Sequence, residues 1–165
     1  YAANRVEFAN NFVELERARE KFNFTYLPEN VERLFREALG CYSSGHFNAF
    51  ASMCRRTAQA AFQDLGENGR LRIFEQAREA REMAEIDNET FSSVKKVLFS
   101  NDADPSPQWP DLSTNEAGVL LELVKDMLYQ AYVRKGKLQQ AMMVRKFFAD
   151  ETLDKITPIG RASGE

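Results

Sequence analysis

The chain has 165 residues, 44% of them apolar, with a formal net charge of −3. That length and composition suit one globular domain with its own core, built without disulfide or metal support. A net-acidic balance argues against a general nucleic-acid binder, whose footprint is a basic domain. It leaves a local basic patch open. Thirteen Phe point to an aromatic-rich core. Cys41 and Cys54 form no C-x-x-C and have no paired His, so both are read as reduced core thiols of a cytoplasmic protein. No apolar run approaches the ~18 residues a membrane span needs. The chain begins at Tyr1 and not Met, which leaves room for a signal or a further domain upstream.

In chain order, Arg5 to Phe22 reads as a first helix, with Phe8, Phe12, Leu15 and Phe22 near one stripe. Asn23 to Pro28 reads as an extended strap, because the residue before a proline is biased away from helix. Its aromatics are expected to pin it to the body. A helix should start just after Pro28 and carry Val31, Leu34, Phe35, Ala38 and Cys41 inward. Tyr42 to Gly45 turns the chain.

The stretch Gly45 to Leu65 is the expected centre of the fold. Phe47, Phe50, Ala51, Cys54, Ala58, Ala61, Phe62 and Leu65 recur at helical spacing, and small residues lie between them. Gly66-Glu67-Asn68-Gly69 reads as a break. Leu71, Phe74, Ala77, Arg78 and Arg81 then describe a shorter, more polar helix to about Ile86, its alternating charges reading as a solvated outer face. Asp87 or Asn88 can cap the next helix, with Phe91, Val94, Val97 and Leu98 inward. Asn101 to Leu112 is a Pro-rich loop. Ser113 to Glu116 reads as a capping box. The longest helix follows, its stripe running Ala117, Leu120, Leu121, Val124, Leu128, Ala131, Tyr132, and it can continue past Gly136 to Phe148. Residues 1–151 are expected to form a single all-α domain, an antiparallel helical bundle of five to six helices with a long C-terminal helix. A flexible tail is expected over 152–165.

Chemistry-bearing groups are sparse. His46, the single histidine, has no nucleophile–base arrangement around it and reads as a first-turn surface residue. No Glu-x-x-His pattern and no phosphate-binding glycine loop occur. Asp102, Asp104 and Asp111 lack the spacing of a calcium loop and read as a solvated loop. No cofactor and no metal are expected. Arg55 lies beside the buried stripe, where an arginine usually pairs with a neighbouring carboxylate or caps a helix C-terminus. Arg56 points elsewhere. Arg134, Lys135, Lys137, Arg145 and Lys146 read first as a solvated helix end favoured by the helix dipole, with weak phosphate contact open; the interleaved Met142, Met143, Phe147 and Phe148 raise a partner surface as another option.

Several stretches together resemble a known group: Ala38-Leu39-Gly40-Cys41-Tyr42, Gly45, Cys54-Arg55-Arg56-Thr57-Ala58, Asn101-Asp102-Ala103, and the capped helix ending in Tyr129 and Tyr132. Over Pro28 to Val133 the chain resembles uncharacterised bacterial DUF-type helical domains often fused to restriction-enzyme components. These are similar to the HEPN superfamily, many of whose members cleave RNA with an Arg followed shortly by a His. Here Lys95 or Lys96 stands at the Arg position and Asp104 near the His. An ionised carboxylate cannot donate the proton that the imidazole would. The resemblance therefore implies a non-catalytic bundle with a tendency to pair.

The expectation is a non-enzymatic, cytoplasmic interaction or regulatory domain, a homodimer with Tyr132, Met142, Met143 and Phe147 at its interface and room for another protein partner. The alternative is a nucleic-acid-binding or RNA-cleaving HEPN-like domain using Arg55, Arg56, Lys95 and Lys96 on phosphates. A metal-dependent enzyme is a third option.

Overall fold

The computed structural model describes residues 22–100 and 111–156. Most of the expected first helix and of the Asn101–Leu112 loop, with residues 157–165, lies outside them. The described elements are α1 (Glu29–Ser43), α2 (Phe47–Met83), α3 (Asn88–Phe99), α4 (Thr114–Leu128), a π-helical turn (Tyr129–Val133) and α5 (Arg134–Ile156). No strand occurs among the described residues, so the all-α class holds there.

The strap contains a turn rather than a fully extended run: the Leu27 amide donates to the Phe24 carbonyl at 3.1 Å. Its aromatics pin it as expected. Phe22 and Phe24 pack on Phe35 with ring centroids 5.2 and 6.0 Å away. Tyr26 lies over Gly136, where a built Cβ would overlap the ring, and its hydroxyl bonds Gln140. Gly136 is glycine because another ring sits where its side chain would be.

α1 buries Val31, Leu34, Phe35 and Ala38. It ends in a Schellman arrangement: the His46 amide donates to Cys41 O at 2.9 Å and the Gly45 amide to Tyr42 O at 3.0 Å. This turns α2 back onto α1. α2 is central, packing against α1, α3 and α4. Phe50, Cys54, Ala58 and Ala61 are fully enclosed, and the buried Thr57 hydroxyl is satisfied by Met53 O at 2.8 Å. Asp87 caps α3, its carboxylate accepting from the Thr90 amide at 2.8 Å. Ser113 caps α4, accepting from the Glu116 amide at 3.2 Å. The inward residues expected on α3 and α4 are buried.

The break expected at Gly66 is present: the residue leaves helical geometry at φ 73°, ψ −178°, so α2 is two helical segments that meet at a kink, with no loop between them. α4, the π turn and α5 run on without a break, so the described residues hold four helical stretches, one of them kinked, slightly fewer than the five to six helices expected. The bend also resets the helical phase. Ile73, not Leu71, is the residue buried beyond it, and Leu71 is exposed. α5 runs to Ile156, past Thr152 where the tail was expected to begin.

Candidate functional site

Two regions carry the residues singled out by sequence, and they differ in what is left for a ligand. The first is the C-terminal end of α3. Helix ends expose unpaired carbonyls and a partial negative charge. Two guanidiniums from α2 answer it. Arg55 donates to the Ser100 hydroxyl at 2.7 Å, and Arg70 donates to the Phe99 carbonyl at 3.3 Å. Arg70 thus reaches a carbonyl at the helix end, while Arg55 bonds the side-chain hydroxyl of the residue that follows α3.

Around this end the rings of Phe62, Phe74 and Phe99 cluster. Phe62 stacks on Phe99 at 5.7 Å, and Phe74 meets Phe99 edge-on at 5.2 Å. The Lys95 ammonium stands 5.2 Å from the Phe74 centroid, and the Arg70 guanidinium 5.8 Å from that of Phe62. Arg55 and Lys95 are therefore brought to one end of α3, with Arg70 as a third cation. Arg56, Lys95 and Lys96 are exposed. No local pattern marks Arg70, whose carbonyl partner lies 29 positions away.

The second region is α5. At its root Tyr132 is buried, and its hydroxyl donates to Asp64 at 2.9 Å. Burial, then the bond to and charge of Asp64, push the Tyr132 pKa well above the ordinary tyrosine value. Tyr132 is thus held inside its own chain, apart from the other expected interface residues. Beyond the root the picture inverts. Every residue from Lys137 to Lys155 is exposed. Met142 is 68% exposed, Met143 73% and Phe147 60%, with Leu138, Val144, Phe148 and Leu153 also on the surface. A shallow groove runs along Lys137, Gln140, Ala141, Val144, Arg145 and Phe148. This spacing is one face of a helix.

Reactive chemistry is not assembled elsewhere in the described residues. Among them no group of three or more His, Cys, Asp or Glu could hold a metal. Asp111 accepts from the Asn48 amide at 2.8 Å, while Asp102 and Asp104 lie outside the described residues. His46 is exposed at the start of α2. Cys41 and Cys54 are free thiols; burial raises the Cys54 pKa well above its usual value, the opposite of an activated thiolate. No helix of the described residues is long and apolar enough to cross a membrane. Comparison with protein-family models, with curated proteins and with solved structures found no match, so the HEPN resemblance rests on the residues that suggested it.

Proposed function

We propose that this chain is a helical interaction domain of the cytoplasm, with no catalytic chemistry of its own, that associates with itself through α5. One observation carries the reading: a 23-residue helix extends from the body with its Met and Phe side chains on the surface. Exposed apolar residues grouped this way on a monomer mark interaction sites. Met adds a side chain that adapts to a partner's contours. The cations near the end of α3 support the reading from the other direction, since Arg55 and Arg70 already serve the fold there.

Light scattering on the full chain across a wide concentration range tests the proposal. The expected result is a dimer mass that falls toward the monomer on dilution. A monomer mass at every concentration overturns it.

A further inference from the structure

We infer that the second copy lies antiparallel along α5, with the two-fold axis near Val144. This rests on the self-association proposed above and adds its orientation and centre. The argument is the order of charge along the helix. Arg134, Lys135, Lys137, Arg145 and Lys146 occupy its first part and middle, and its last turns are acidic on balance, with Asp150, Glu151 and Asp154 against the single base Lys155. A parallel pair sets Lys137 beside Lys137 and Glu151 beside Glu151, whereas Arg145, next to the axis, approaches its own copy in either orientation. An antiparallel pair lays the basic start of each helix along the acidic end of the other. Charges flanking a helix–helix seam select orientation in this way, chiefly by penalising the wrong one.

The groove places the axis. Its residues run along one face, with Ala141, Val144 and Phe148 as the apolar members; Phe147 flanks that face, and Met142 and Met143 lie on the rest of the helix surface. Lys137 and Glu151 stand two helical turns to either side of Val144, on that same face. A two-fold axis at Val144 therefore sets Lys137 of each copy opposite Glu151 of the other. It falls ~15 Å along the helix from Arg134. That clears the root, where Tyr26 covers Gly136. A C2 contact uses the same patch on both copies, and this stripe is complementary to itself only when reversed.

The test uses the full chain with Cys41→Ser, which leaves Cys54 buried, and adds one cysteine at a time under mild oxidation. The result expected is that Val144→Cys cross-links to itself. Lys137→Cys alone should not, but mixed with Glu151→Cys it should. In parallel, Lys137→Glu should weaken dimerisation by about tenfold or more, and Lys137→Glu with Glu151→Lys should restore it. A dimer in which Lys137→Cys and Val144→Cys each link to themselves overturns the antiparallel arrangement, one in which Lys137→Cys alone does so overturns the axis at Val144, and both leave self-association standing. A dimer with no cross-link at any position and no response to Lys137→Glu overturns α5 as the contact. A monomer at all concentrations, with α5 bare or covered by residues 1–21 of its own chain, overturns both.

Discussion

Gly66 and Gly40 make a matched pair whose substitutions should act with opposite sign. A Cβ built at either position meets nothing within 4 Å, so packing does not distinguish them. Backbone conformation does. Gly66 sits at φ 73°, ψ −178°, a region open essentially to glycine alone. Placing alanine there costs about 1–3 kcal/mol of strain, offset by about 0.4–1 kcal/mol from the stiffer unfolded chain. The net loss is about 1–2 kcal/mol. Gly40 lies within α1, exposed and helical, where alanine gains about 0.5–1 kcal/mol. For a chain of this size, 1 kcal/mol moves Tm by about 2–4 °C. Gly66→Ala should thus lower Tm by roughly 2–8 °C and Gly40→Ala raise it by roughly 1–4 °C. Thermal and urea unfolding followed by helical ellipticity reads both. If Gly66→Ala raises Tm as Gly40→Ala does, the helix runs straight through residue 66, and the bend that buries Ile73 in place of Leu71 is wrong.

Three further outcomes are expected. Because the native state holds the Tyr132 proton beyond the unfolded value of about 10, stability should be full below that pH and fall as pH rises above it. Tyr132→Phe should cost about 1 kcal/mol near neutrality and flatten that alkaline decline, read from urea midpoints at neutral and alkaline pH; equal slopes would count against the buried bond to Asp64. Glu85, at φ 51° after the end of α2, should stabilise the chain by up to about 1 kcal/mol when replaced by glycine, measured in the same unfolding assay. Labelled single-stranded RNA should show little salt-dependent anisotropy with the wild-type chain. Strong binding at low salt, lost in Lys95→Glu/Lys96→Glu, would move the nucleic-acid reading ahead of the interaction reading.

What the sequence made legible was local. Phe91, Val94, Val97 and Leu98 on α3, and Leu120, Leu121, Val124 and Leu128 on α4, announce their buried faces by spacing, because side chains three and four apart share a face. Asp87 and Ser113 announce helix starts because a short oxygen-bearing side chain satisfies an orphan amide within its own turn. The features that escaped depend on distance or on a single backbone angle. The break at Gly66 was legible, but that the chain re-enters a helix at the next residue, with no loop, rests on one backbone angle that composition does not give. Arg70 and Tyr132 find their partners 29 and 68 positions away, so nothing near them in the chain signals the bond. The π turn is a change of backbone hydrogen bonding over Tyr129–Val133, which no side-chain spacing marks. At the candidate site the exposed Met and Phe of α5 were legible. Their separation from buried Tyr132 was not, since the partner that buries Tyr132 lies on another helix.

The devices at the root of α5 also bear on why its far end needs a partner. Tyr132 ties the π turn to Asp64, just before the bend in α2, and Tyr26 seals Gly136 and reaches Gln140. These contacts aim the helix, and they stop within its first two turns. Isolated helices of about 12–15 residues are marginal in water, because few tertiary contacts offset the entropy of ordering them. The stretch beyond Gln140 is about that long, and it holds Met142, Met143, Phe147 and Phe148 against solvent. A second surface laid along it would supply both missing terms, apolar burial and tertiary support. The helix that is held most firmly at one end is thus the one with most to gain from being covered at the other.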